Sequence, residues 1–215
     1  MPLIKTERIV PAGEWGIWKI EESEAFFLDA LGLRSLEVQQ LATMKGRRRV
    51  EWLASRYLLH VLSGREDRAD CLKDEFGKPY LVGSDYQISL SHSHGLAAVI
   101  AAPQAVGIDI QLEVSKIERI AHKYMRPEEM SSLSTTRRIT HLHVYWGAKE
   151  ALFKAYGRKE VDFKQHLHME PFSLQENGGN FQGKLIKPDT EQSFRLSYRL
   201  FDSFVLVWCI EQEGG

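Results

Sequence analysis

Cysteine is scarce in this chain: only Cys71 and Cys209 occur in 215 residues. They stand far apart and form no metal-type spacing, which excludes a disulfide framework and a thiolate zinc cluster and fits structural thiols in a reducing compartment. Long hydrophobic runs are also missing. No stretch approaches a membrane span, and no apolar core follows basic residues at the N-terminus, so neither a spanning helix nor a signal peptide is read. An excess of charge of either sign is lacking too, with 28 Lys and Arg against 29 Asp and Glu for a net of -1. That leaves no global basic field for nucleic acid, and no motif of that class appears. No segment is of low complexity. The expectation is a cytoplasmic protein without nucleic-acid or membrane partners.

What is present suffices for a substantial core. With 43% hydrophobic and 27% charged residues, the chain can form one large domain or two small ones. Ile17–Ile20 reads as a short strand. Ser23 is placed to cap a short helix to Leu31, and Ser35 to start another toward Met44. Arg47–Leu62 reads as an amphipathic helix ended by Gly64. Tyr80–Val82 is a strand after the Phe76-Gly77-Lys78-Pro79 turn. Tyr86–Ser91 and Leu96–Ala102 form a hairpin around Ser93-His94-Gly95, and Val106–Leu112 is a further strand. Ile117–Met125 is helical, and Pro127 begins another turn of helix. Asn177–Asn180 reads as a turn between short strands, and Phe194–Leu200 with Phe204–Ile210 as a second hairpin.

One pattern recurs. Trp52, Ala54 and Leu58 are repeated as Trp146, Ala148 and Leu152 at an offset of 94 residues, each time followed by an apolar and then a basic residue. Two similar α+β halves follow from this, residues 1–103 and 104–215, with the natural site in the cleft between them. Chance agreement of two amphipathic helices is the alternative.

The second copy lies in Val144–Gly157, a run of helix formers closed by a glycine suited to a left-handed C-cap. Ala148, Leu152 and Ala155 have the spacing of a buried face. Trp146, Glu150 and Lys154 share another side, with Lys149 beside them. A carboxylate flanked by ammonium groups can hold a metal ion and a polyphosphate together; a solvated face with an i, i+4 ion pair is the plainer reading. Upstream, Gly107-Ile108-Asp109-Ile110-Gln111 puts Asp109 and Gln111 on one strand face. Asp109 and Glu150 are the oxygen-ligand types that Mg²⁺ uses alongside phosphate and water.

In chain order stand Phe76-Gly77-Lys78-Pro79, Ile88-Ser89-Leu90-Ser91-His92-Ser93, Gly107-Ile108-Asp109 and Trp146-x-x-Lys149-Glu150-Ala151-x-x-Lys154. This series resembles the 4′-phosphopantetheinyl transferases of the surfactin-synthetase-activating type, over roughly residues 45 to 160. The resemblance implies a single-chain, pseudo-twofold pair of α+β halves, each a small antiparallel sheet packed with helices. It implies holo-acyl-carrier-protein synthase chemistry: the phosphopantetheine arm of coenzyme A moves to a serine of a carrier protein, with Mg²⁺, and 3′,5′-ADP leaves. By the same resemblance Asp109, Glu150 and the more variable position Gln111 are metal-site residues, and Lys154 meets the leaving phosphate. Lys78, Ser91 and His92 contact the 3′-phosphoadenosine end, Lys149 belongs to the coenzyme A site, and Glu129 is the base that takes the serine proton. Arg49 and Arg56 are further candidate phosphate ligands, because guanidinium matches phosphate bidentately. Many members carry an acid where this chain has Gln111; Glu113 is placed to compensate if the strand continues.

Three His-x-His pairs, His92/His94, His141/His143 and His166/His168, raise zinc as a rival. Position 96 is Leu where a metallo-hydrolase pattern needs Asp, and the other four histidines are read as surface or core residues. A non-catalytic homologue that binds coenzyme A or a carrier protein is the second functional reading. The internal repeat suggests a monomer, since the second half takes the place of a second subunit.

Overall fold

The structure is a computed structural model and describes residues 2–212. The first half of the chain runs β1 (Leu3–Arg8), β2 (Glu14–Lys19), α1 (Glu24–Leu31), α2 (Ser35–Ala42), α3 (Arg47–Ser63), β3 (Cys71–Lys73), β4 (Pro79–Leu81), β5 (Gln87–Ser93) and β6 (Leu96–Ala102). The second runs β7 (Val106–Leu112), α4 (Ile117–Tyr124), α5 (Pro127–Ser131), α6 (Arg138–Tyr156), β8 (Leu167–Met169), β9 (Gly179–Lys187), β10 (Thr190–Leu200) and β11 (Phe204–Glu211). Two antiparallel sheets result, β1-β2-β6-β5-β4-β3 and β7-β11-β10-β9-β8, which makes the fold α+β. The chain passes from one sheet to the other between Ala102 and Val106.

Local chemistry explains most boundaries. Ser23 accepts from the Phe26 N–H at 3.3 Å and starts α1, and Gly32, in the left-handed region, ends it. His94 and Gly95 both have positive φ, the requirement of a tight two-residue hairpin turn, and join β5 to β6. Some elements were not legible in the pattern. β1 and β3 lie outside the expected strands, and α6 begins six residues before Val144. The segment Arg138–His143 carries no apolar period because α6 is buried on nearly every side there, His141 and His143 included. The expected turn at Asn177–Asn180 is the end of a longer connection, since β9 pairs back to β8 only at Gly183↔Met169.

Each half packs one long helix on its sheet, α3 on β2 and β6, α6 on β7 and β11. Trp52, Ala54 and Leu58 of α3 and Ala148 and Leu152 of α6 are buried in their respective cores. A third apolar cluster joins the sheets and includes Trp15, Ile17, Ile100, Ile108 and Ile110, with the Trp15 and Trp208 rings 5.0 Å apart. Beside this core β5 and β7 lie alongside each other. The Ile108 N–H donates to Ser89 Oγ at 3.1 Å and the Ile110 N–H to Ser91 Oγ at 3.2 Å. Serine hydroxyls two residues apart thus replace a backbone ladder and hold the halves in register.

Gly107 sets how close α6 comes. A Cβ built there meets the Ala151 carbonyl oxygen at 1.8 Å, so the helix backbone rests directly on β7. That contact brings the first turn after Gly147 and the middle of β7 together.

Candidate active site

The site forms where β7, α6 and β5 meet. Asp109, in mid-strand, is 8% exposed. Its Oδ1 accepts from Lys154 Nζ at 2.8 Å and from Ser91 Oγ at 3.0 Å. The same ammonium donates to Ser91 Oγ at 3.0 Å and to the Ile108 carbonyl at 2.9 Å. Residues from both halves therefore converge on one carboxylate. Glu150, one turn before Lys154, is half-buried. Its carboxyl is raised above the usual range, first by burial and then by the charge of Asp109, while Lys154 opposes the shift. Two acids and one ammonium thus share one partly desolvated space.

Gln111 stands beside this group with a defined orientation. His143, buried in α6, places Nε2 2.9 Å from the Val114 N–H and 3.1 Å from its carbonyl. Burial lowers the imidazole pKa, and because Gln111 Oε1 can only accept while Nε2 can accept from the Val114 N–H, the ring proton is placed on Nδ1. Nδ1 then donates to Gln111 Oε1 at 3.0 Å. The Gln111 amide nitrogen is left to donate to Asp109 Oδ2 and to the His143 carbonyl, each at 3.2 Å. Gln111 thus offers Asp109 a hydrogen-bond donor, and its oxygen is turned to His143. Glu113 lies beyond β7 and accepts from Thr140 Oγ1 at 2.7 Å, so it does not extend the acidic group.

On the β5 side, His92 Nδ1 is 3.0 Å from Glu51 Oε2 of α3. Burial depresses the imidazole pKa, Glu51 raises it, and the nearby charges of Lys154 and Arg48 lower it further. Arg47 lies 3.7 Å from Glu51 Oε1. Lys78 reaches across to the second half and donates to the Ala155 carbonyl at 2.6 Å, against the C-terminal end of α6. Its chain fills the space over Gly157, whose φ of 71° is the left-handed C-cap.

Four of the expected site residues lie elsewhere. Glu129 is fully buried, 2.9 Å from Lys149 Nζ, and accepts from the Arg126 and Met169 N–H groups at 2.8 and 3.0 Å. Lys149 completes its own shell with the carbonyls of Phe163 and Leu167 at 3.1 and 2.8 Å. With no exposed surface, this pair ties α5, α6 and β8 together and presents neither a base nor a phosphate contact at the Asp109 cluster. Arg49 is spent on Glu24, with Nη2 2.6 Å from Oε1, and on the Leu41 carbonyl at 2.8 Å. Arg56 is buried behind α3 against Trp52. Lys149 and Arg56, expected as coenzyme A contacts, are structural because helix phase turns them inward, whereas Arg49 stays partly exposed and is held by Glu24. Glu51 and His143 were not identified from the sequence. Glu51 stands just after the basic run that ends at Arg49, and the His-x-His spacing of His141 and His143 has no meaning on a helix, where such residues point apart.

Residues 105–209 match the model of the 4′-phosphopantetheinyl transferase superfamily. Among curated proteins, 4′-phosphopantetheinyl transferase gsp of Aneurinibacillus migulanus is 30% identical over 112 residues, which are 50% of this chain and 46% of that protein. The chain thus spans about half the length of the curated relative it matches. The match bears out the resemblance drawn from the motifs over the stretch that holds Asp109, Glu150 and Lys154. Among the described residues, no helix is long and apolar enough to cross a membrane.

Proposed function

We propose that this chain transfers the 4′-phosphopantetheine group of coenzyme A to a serine hydroxyl of a carrier protein, releasing 3′,5′-ADP. The observation that carries this reading is the joint hold of Lys154 and Ser91, from opposite halves, on Asp109 beside the half-buried Glu150. A cleft that unites cationic and anionic groups in this way suits a diphosphate and a divalent ion.

The donor set fits Mg²⁺. Asp109 and Glu150 supply hard oxygens, and a cation between them would offset both the burial that chiefly lifts the Glu150 carboxyl and the Asp109 charge that adds to it. Among the described residues no cluster of three or more His, Cys, Asp or Glu side chains forms. An ion that completes its shell with phosphate and water needs only such a pair of carboxylates. When bound, Mg²⁺ neutralises the diphosphate as its anhydride bond breaks. Lys154 is the charge partner of the leaving phosphate. His92, oriented by Glu51, faces the 3′-phosphoadenosine end together with Arg47 and Arg48 of the basic run. Gln111, fixed by His143, keeps Asp109 aimed at the cleft.

On this reading the protein works in the cytoplasm, and it does so as a monomer because one chain supplies both sides of its site. Its partner is an acyl, peptidyl or polyketide carrier protein. The test is a mass spectrum of an apo carrier protein after incubation with the protein, coenzyme A and Mg²⁺. A gain of one phosphopantetheine on serine supports the enzyme, and binding of coenzyme A without transfer supports a non-catalytic homologue.

A further inference from the structure

Away from the candidate active site, α3 and the β3–β4 hairpin enclose a cavity of about 320 Å³. Register separates the two places. The active-site end of β5 and β6 is the turn after Ser93, whereas the cavity is bordered by Ala101, paired with Glu14, at the opposite end of the same strands.

Arg56 lies in the cavity wall and is only 3% exposed. Its guanidinium stacks 3.4 Å from the Trp52 ring centroid, and Nη1 donates to the Trp52 carbonyl at 3.3 Å. Nε has no partner among the described residues. The same holds for Nδ1 of His60, one helical turn further along the same wall. Glu37, whose charge acts on Arg56, is already held by Arg68 through two contacts of 2.7 and 2.6 Å. Burial lowers Arg56 to about 10, which still leaves it charged at neutral pH. A buried charge without a counter-charge is costly, and its Coulomb energy favours any anion that enters. The wall otherwise includes Leu59, Leu62, Leu81 and Tyr86.

We propose that this cavity binds a small organic monocarboxylate, with its head on Arg56 and His60 and its hydrocarbon body along Leu59, Leu62 and Leu81. Arg56 is the buried cation of the wall without an ion-pair partner among the described residues; Arg68 is paired with Glu37, and the exposed Arg65 and half-buried Glu14 carry opposite charges, so the net charge left for a ligand favours a monoanion over a phosphate dianion. Guanidinium also meets a carboxylate bidentately. The apolar wall selects a hydrocarbon body. The volume is at the lower end of the roughly 300–1,000 Å³ of small-molecule pockets, so it admits a short chain and not a nucleotide. This site is independent of the transferase reading.

Octanoate is a direct probe, with octanamide as its uncharged counterpart. Isothermal titration of the full chain is expected to show saturable, one-to-one octanoate binding, with octanamide at least tenfold weaker. Arg56→Gln is expected to weaken octanoate by tenfold or more. Because that variant loses a buried packing residue, Ser84→Trp serves alongside it: it closes the lining from a loop, abolishes octanoate binding, and leaves coenzyme A binding at its wild-type affinity. Absence of saturable octanoate binding, equal binding of octanamide, or octanoate binding that survives Ser84→Trp overturns the proposal.

Discussion

Lys154 Nζ donates to Asp109 Oδ1 at 2.8 Å, and through Ser91 the same contact reaches into the other half of the molecule. A single ammonium therefore links β7, α6 and β5. On the proposed function, phosphate oxygens entering the cleft would compete for that ammonium, and Lys154 would act in transfer beyond its structural hold.

Lys154→Ala is expected to lower kcat about a hundredfold, with a much smaller change in coenzyme A affinity. A donor that meets charge developing on the leaving phosphate acts mainly in the transition state. Steady-state kinetics and direct coenzyme A titration separate the two effects. A raised KM with intact kcat refutes the assignment.

Gln111→Glu tests the hydrogen bond between position 111 and Asp109, the proposed metal ligand. His143 Nδ1–H can still hold one carboxylate oxygen, which leaves the other facing Asp109 Oδ2 where an N–H now donates at 3.2 Å. Without metal the variant is expected to melt lower than wild type, and Mg²⁺ is expected to raise its Tm more. Thermal melts with EDTA and with a Mg²⁺ series check this. Equal Mg²⁺ responses mean that position 111 does not sense the ion.

Glu129 and Lys149 form a fully buried pair, so removing one partner strands the other. Glu129→Gln is expected to cost about 3–5 kcal/mol in urea unfolding, and Glu129→Leu/Lys149→Met to recover most of it. The double variant should keep transfer activity per folded molecule. A folded double variant without activity returns a role in transfer to the Glu129–Lys149 pair.

Gly107→Ala forces a methyl group into the Ala151 carbonyl, since the built Cβ comes within 1.8 Å of that oxygen. The cost is expected at about 1–3 kcal/mol or more, the range for overpacked cores. Because α6 must move off β7, Glu150 separates from Asp109, and transfer should fall further than the loss of folded protein explains. Urea titration with activity corrected for folded fraction measures both.

Much of this was legible in the sequence where side-chain type and local period agree. The strand Val106–Leu112 and the hairpin at Ser93-His94-Gly95 are set by alternation and turn chemistry, and the structure reproduces them. The stripe Trp146–Glu150–Lys154 is the half-buried side of α6, as its spacing implies. Lys149 and Glu129 were less readable, because burial of a charge depends on a partner forty or fewer residues away that periodicity does not reveal. The orientation of Gln111 depends on His143, and the seat of Arg56 on Trp52 and the Arg68–Glu37 pair; both are tertiary facts. Gly107 was visible as part of a motif, but its reason, contact with the Ala151 carbonyl, appears only once α6 is docked.

The central claim, that Asp109 anchors one transfer site built from both halves, is tested most directly by the rate of phosphopantetheine transfer at rising Mg²⁺ in wild type and Asp109→Ala. The expected result is Mg²⁺-dependent, saturable transfer by the wild type and none by Asp109→Ala at any Mg²⁺ concentration, with both proteins equally folded. Transfer by Asp109→Ala at a comparable rate would contradict the account.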